Sequence, residues 1–298
     1  MLLTAFVLSC GGGSQGESTP APTPTSPAPA SAGMVVGVTT DDPTIDTADQ
    51  VDALAALPRR AMVRTTFDLG RATSDYVGSI SAISRVADVM GQPLDSSDMS
   101  RLGPAGVRAR IDQYIAALGD TVSVWEVGNE VNGNWVGADP MAKVEAMFDA
   151  AKSAGRRSAL TLYYENPSTP GFAMIPWVDE HIPDGHRMRS GLDYVLVSYY
   201  DDQNAGHQLT QPEMDTMFAA LARRFPNARL GMGEFGWGKS IPAADLERAA
   251  LIRRFYGYRV PSVPSYVGGG FYWHFRQTMA PRSRPDWSVL SETMQSLP

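Results

Sequence analysis

Two glutamates stand out by where they sit. Glu130 follows the stretch Val122-Ser-Val-Trp-Glu-Val-Gly-Asn, which opens β-branched and apolar and then turns polar. Glu234 closes Ala228-Arg-Leu-Gly-Met-Gly in the same way and is followed by Phe-Gly-Trp237. A short apolar run that ends in a carboxylate reads as a buried strand whose carboxyl end opens onto a site. Solvated loop charges are the plain alternative, but a glutamate straight after a buried strand, twice, argues against it. Two carboxyls converging on one point can divide labour. If their surroundings push their pKa values apart, one stays protonated as an acid and the other stays ionised as a base or nucleophile. This chemistry needs no metal or cofactor, and no His/Cys/Asp cluster with zinc-ligand spacing appears. No Ser-His-Asp arrangement stands out either.

Two further charged residues belong with the pair. Glu126 shares strand parity with Glu130, so it is expected to point inward below the site, where an unpaired carboxylate would be costly. Arg64 lies in Met62-Val63-Arg64-Thr65, a second apolar run. A cation there would keep a nearby carboxylate ionised; pairing with Glu126 is the structural alternative, and both can hold.

These residues need a frame, and the chain alternates strand and helix throughout. Strand runs fall at 34–39, 61–67, 87–94, 122–130, 158–164, 193–200, 228–234 and 268–275. Helical segments separate them. One is marked by an expected capping box, Thr47-Ala-Asp-Gln50. Another has Pro104 near its start, Val107, Ile111, Ile115 and Leu118 on one face, and Gly119 as C-cap. A third opens at Asp139-Pro140 as N-cap and N1. A fourth, 210–225, places Met214, Met217, Phe218 and Leu221 inward. Strict alternation implies a parallel sheet. Eight units in roughly 265 residues match a (β/α)₈ TIM barrel, an α/β fold whose sites lie at the strand tips. A doubly wound open sheet would expect a phosphate-binding glycine loop after the first strand, and Thr39-Thr40-Asp41-Asp42 is not one.

With Asn129-Glu130 at the tip of strand four and Glu234 at the tip of strand seven, residues 34–298 resemble the clan A retaining glycoside hydrolases. The resemblance implies that Glu130 is the acid/base and Glu234 the nucleophile, with carboxyls about 5–5.5 Å apart. It implies that Arg64 steadies the nucleophile, that Asn129 reaches the sugar 2-hydroxyl, and that Tyr200 bonds the nucleophile, with Tyr199 as the neighbouring candidate. Many clan members place a His just before this tyrosine; here that place is Ser or Tyr. Trp273 matches the aromatic floor under the cleaved sugar, whose C–H face stacks on an indole. Trp135 and Trp237, just past the two glutamates, are candidate platforms for flanking sugars. His181, His186 and His207 read as surface residues, and His274 adjoins Trp273 without an assigned role. The implied substrate is a β-linked poly- or oligosaccharide. A non-catalytic carbohydrate-binding surface protein is the rival reading, and transglycosylation through the same intermediate is another; neither sugar nor linkage is legible.

The remaining residues concern partners and location. The net charge of −7 over 298 residues gives no basic field for nucleic acid, and a monomer is expected. Residues 2–8 form a short apolar run, too short to span a bilayer, followed by Val7-Leu8-Ser9-Cys10. This resembles a bacterial lipoprotein signal. It implies cleavage after residue 9, acylation of Cys10, and lipid anchoring in the cell envelope, with Gly11 after the cysteine favouring the outer membrane. No Lys or Arg precedes the run, a departure from the usual signal, and the true start is not legible. Residues 11–33 are almost wholly Gly, Ser, Thr, Pro and Ala, the composition of a disordered, extended tether.

Overall fold

The computed structural model describes residues 34–165 and 173–297; Cys10 and the stretch 1–33 lie outside them. Eight parallel strands close on themselves in sequence order, β1 to β8. They are β1 Val35–Thr40, β2 Met62–Thr66, β3 Asp88–Gln92, β4 Val124–Gly128, β5 Arg157–Tyr163, β6 Tyr194–Ser198, β7 Arg229–Glu234 and β8 Tyr266–Tyr272. The helices are α1 Thr47–Ala55, α2 Ser74–Ser84, α3 Pro104–Leu118, α4 Pro140–Ser153, α5 Met174–His181, α6 Arg187–Gly191, α7 Gln211–Arg224, α8 Asp245–Gly257, α9 Phe275–Thr278 and α10 Pro285–Ser296. The expected α/β barrel is therefore present. The short helices α6 and α9 were not foreseen, because one turn carries too little periodicity to read.

The barrel interior is layered. Its floor is apolar: Val35, Met62, Met90, Val124, Ala159, Tyr194, Leu196, Val267 and Phe271. The opposite faces of the strands, such as Val38, Val63, Trp125, Leu160 and Val195, join the helices in the main core. Above the floor the inward positions turn polar with Arg64, Glu126 and Thr161, all essentially unexposed. Alternation along each strand produces both faces, and the polar layer carries the site.

Two irregularities decide what reaches the mouth. On β4 the register with β5 slips, so that Glu126 pairs with Ala159 but Gly128 pairs with Leu160. Ala159 faces the barrel floor and Leu160 the helices. Gly128 thus points outward; a Cβ there would lie 2.9 Å from Leu160 and 3.0 Å from Val144. Parity therefore does not carry from Glu126 to Glu130, contrary to the sequence expectation. The strand ends at Gly128, and Glu130 adopts a left-handed φ of 47°, rare for a residue with a side chain. On β7 a similar slip sets Met232 opposite Val197 but Glu234 opposite Ser198, a bulge of the kind found beside active sites.

One expected cap is also corrected. Thr47 does not open a capping box: Asp46 occupies the N-cap without a side-chain bond, and the Thr47 hydroxyl donates to the Pro43 carbonyl at 2.8 Å. A capping box is found instead at α7, where the Glu213 carboxylate accepts from the Thr210 N–H at 2.8 Å. Asp139 does occupy the N-cap of α4 with Pro140 following, again without a side-chain cap bond.

Candidate active site

Arg64 is the hub. It rises inward from β2, fully buried, and its guanidinium reaches three partners. Its Nε and Nη2 donate to the two oxygens of Glu126 at 2.8 and 3.2 Å. Its Nη1 donates to Oε2 of Glu234 at 2.5 Å, and Nη2 also donates to Oδ1 of Asn129 at 2.9 Å. Glu126 further accepts from the Thr161 hydroxyl. Burial works against the arginine's charge, but Glu126 and Glu234 outweigh it and hold the guanidinium above its ordinary range. The two readings of Arg64, partner of Glu126 and partner of the nucleophile candidate, are both realised. A buried, multiply bonded arginine is a rigid fork, since its planar donors fix the groups that accept from them.

That fork also fixes Asn129. Arginine can only donate, so the asparagine must turn Oδ1 toward it. Its Nδ2 then faces away from Arg64 as a donor.

Glu234 is clamped from both sides. Arg64 takes Oε2, and the Tyr200 hydroxyl donates to Oε1. Burial raises the pKa of this carboxyl, while the Arg64 charge and the Tyr200 bond pull it back. Tyr200 is itself pushed far up by burial and by Glu234, so it stays neutral and keeps its proton for the bond. Tyr199 is not the partner: it faces outward into the core, and its hydroxyl donates to the His207 carbonyl at 3.1 Å.

Glu130 is held differently. Its Oε1 accepts from the Ser198 hydroxyl. Burial first, and the Glu234 charge second, push Glu130 up to about 8, against the smaller pull of Ser198 and Arg64. The left-handed backbone turn brings the side chain back over the mouth. The turn is itself pinned by Asn132, whose amide exchanges hydrogen bonds with the backbone of Tyr163, Nδ2 to the carbonyl and N–H to Oδ1, both at 2.8 Å.

The aromatic candidates divide. Trp273, just past β8 rather than in it, is half-buried and faces the hub, with Arg64 Cζ 5.6 Å from its ring centroid. Trp135, 38% exposed, meets Tyr163 edge-on at 5.6 Å. Trp237 packs against Tyr272 and stacks on His274 at the rim. His274 is buried, its pKa lowered by that burial, and its Nε2 lies 3.2 Å from the Trp237 carbonyl. His186 and His207 contact Glu145 and Glu213, and His181 stacks on Trp177, all away from the glutamate pair.

Sequence reasoning missed Ser198, Asn132, Tyr163 and Asp95. Ser198 and Tyr163 are inward strand ends, so barrel parity was the signal that could have found them. Asp95 follows β3 and accepts from Gln92 Nε2 at 3.3 Å and Ser97 N at 2.9 Å; its charge acts on Arg64, Glu130 and Glu234 alike.

No protein-family model matches the chain. Among solved structures, the chain is similar in fold to a psychrophilic glycoside hydrolase family 10 endo-β-1,4-xylanase, with a TM-score of 0.58, 11% identity, and coverage of 87% of this chain and 96% of that one. It is similar to a GH30 endoxylanase from Clostridium papyrosolvens C71 at a TM-score of 0.54 and 12% identity, covering 89% and 72%. A family 1 β-glucosidase from Thermotoga maritima gives a TM-score of 0.52 and 12% identity over 81% and 87%. At such identities the shared property is the barrel.

Proposed function

We propose that this protein is a retaining glycosidase that cleaves a β-linked poly- or oligosaccharide by double displacement. The observation that carries the reading is the unequal support of two carboxyls at one barrel mouth. Glu130, pushed up to about 8, holds its proton at neutral pH and can give it to the leaving oxygen. Glu234, gripped by Arg64 and Tyr200, is the carboxylate favoured to attack the anomeric carbon. Water, activated by the now ionised Glu130, then releases the sugar with net retention. The Asn129 amide suits a sugar hydroxyl, and the Trp273 ring suits an apolar sugar face. A purely binding protein would have no use for Arg64, Tyr200 and Ser198 set around two carboxyls. The neighbours are an endo-β-1,4-xylanase, an endoxylanase and a β-glucosidase, so glycoside cleavage occurs on this fold, which supports a glycosidase by analogy.

Chemical rescue tests the roles. Glu130→Ala should still be glycosylated by a β-glycoside with an activated aryl leaving group, then stall, since no base activates water. Azide, which needs no base, should restore turnover and give the β-azide. Glu234→Ala should give the α-azide, because azide enters from the vacated face. The same product configuration from both variants, or rescue of neither, would overturn the assignment.

For location, we propose export and lipid anchoring through Cys10, supported by the apolar run and Val-Leu-Ser-Cys sequence before it. Cys10→Ser should move the protein from the membrane fraction to the soluble one with activity intact; a wild type that fractionates as soluble with an unmodified thiol rejects the anchor.

A further inference from the structure

Ser198 is the last residue of β6 and is wholly buried. Its backbone is tied on both sides: it lies opposite Tyr163 on β5 and opposite Glu234 on β7. The Tyr164 N–H donates to its carbonyl at 3.1 Å, and the next residue's N–H donates to the Glu234 carbonyl at 2.9 Å. The hydroxyl is therefore placed by three strands, and it meets Oε1 of Glu130. We propose that Ser198 is a positioning residue that fixes which oxygen of Glu130 carries the proton and supports Glu130 when it must act as the base.

The chemistry follows from donor counting. An ionised carboxylate can only accept, so after Glu130 has given up its proton Ser198 must be the donor. When Glu130 is protonated, Ser198 keeps the same bond only if the proton sits on Oε2. The hydroxyl thus reserves Oε1 and leaves Oε2 as the oxygen that exchanges a proton with the leaving group and later with water. It also favours the ionised form. The other charged or titratable groups facing Glu130 are Glu234 on β7, Arg64 on β2, Asp95 after β3, Tyr163 on β5 and Tyr200 after β6. Of these only Arg64 also favours ionisation, and it is engaged with Glu126, Glu234 and Asn129. Ser198 is the group that makes one carboxyl serviceable in both half-reactions.

This inference rests on the glycosidase reading, so its test is chosen to work without turnover. With glutamate labelled at the carboxyl carbon, NMR follows the titration of Glu130, assigned by the resonance lost in Glu130→Gln. A hydrogen bond to a charged group is worth enough to move the midpoint by about one pH unit. Ser198→Ala should raise the Glu130 midpoint by about that amount, and Ser198→Cys, a weaker donor of similar size, should fall between. In kinetics on an activated aryl β-glycoside, Ser198→Ala should lower kcat, set by the base-dependent second step, several-fold more than kcat/KM. An unmoved midpoint in folded Ser198→Ala overturns the proposal, and so does an equal fall in kcat and kcat/KM. If no glycoside is turned over, the functional reading fails while the order of midpoints still decides the role of Ser198. Should the alanine variant fail to fold, the cysteine variant carries the same comparison.

Discussion

Glu130 and Glu234 are the same side chain in different company, and the company decides which one holds a proton. Arg64 and Tyr200, both bonded to Glu234, favour its ionised form against burial, whereas Glu130 has the Ser198 hydroxyl and a more distant Arg64 against burial and the Glu234 charge. The raised Glu130 has a consequence for stability that runs opposite to an ordinary salt-bridged carboxylate. Its folded pKa, about 8, lies above the unfolded value, so the folded state binds the extra proton in the window between them. Stability therefore falls as pH rises from about 4.5 toward 8, and the loss is complete above 8, where both states are ionised. Glu130→Gln keeps an acceptor for Ser198 and cannot ionise. Thermal melts should show the glutamine variant gaining on the wild type between pH 5 and pH 9, with the gap opening across that window. A gap that stays constant from pH 5 to 9 would mean that Glu130 titrates like an exposed carboxyl.

At the scale of strands and helices, the sequence made the order of elements plain and hid how two strands end. Alternating apolar runs, Pro104 and Pro140 at helix starts and the polar break after Val127 are local signals, readable one segment at a time. Placing Glu234, Asn129 and Tyr200 together was also within reach, since each sits at or beside a strand end, with Arg64 in the middle of β2 below them. The register slips on β4 and β7 are not local: they depend on which neighbour each residue pairs with. That is why the parity argument linking Glu126 to Glu130 failed; Ser198 continues the inward series of Tyr194 and Leu196 on β6 and was within reach of parity. Gly233 shows the physical cause on β7. A Cβ there would lie 2.8 Å from the Leu196 Cβ and 2.9 Å from the Thr161 methyl, both crowded into the barrel interior. Gly233→Ala should therefore destabilise the protein by about 1–3 kcal/mol through overpacking and should disturb Glu234, its neighbour in sequence. Gly78, exposed in α2 with nothing near its missing Cβ, is the contrast. Gly78→Ala should stabilise by about 0.5–1 kcal/mol, the helix-interior penalty of glycine. Denaturant midpoints for the two variants check both signs; a tolerated Gly233→Ala would mean that β7 can shift without the bulge.

Over the whole molecule, the charge is not spread evenly. The loops that follow the strands carry Asp41, Asp42, Asp68, Asp95, Asp98, Asp201 and Asp202 around the mouth. Arg276, Arg71, Arg101 and Arg254 pair with Asp41, Asp42, Asp98 and Asp201. Asp68, Asp95 and Asp202 have no ion pair among the described residues, and Asp95 already acts on both Glu130 and Glu234. Carboxylates left without a cation beside them give the mouth a net negative field, which acts on whatever approaches. If this mouth is the proposed active site, it should therefore favour neutral and cationic substrates over anionic ones. The test keeps the sugar fixed and varies the leaving aryl group, which is made neutral, carboxylated or ammonium-bearing. At low ionic strength kcat/KM should rank ammonium above neutral above carboxylate. Near 1 M salt, where the screening length is about 3 Å, the three should converge, because the effect is long-range and the chemistry at Glu130 and Glu234 is the same in each. Equal rates for the ammonium and carboxylate substrates at low salt would show that the paired arginines cancel the field, whereas a ranking that survives high salt would point to direct contact with a particular carboxylate, Asp95 first.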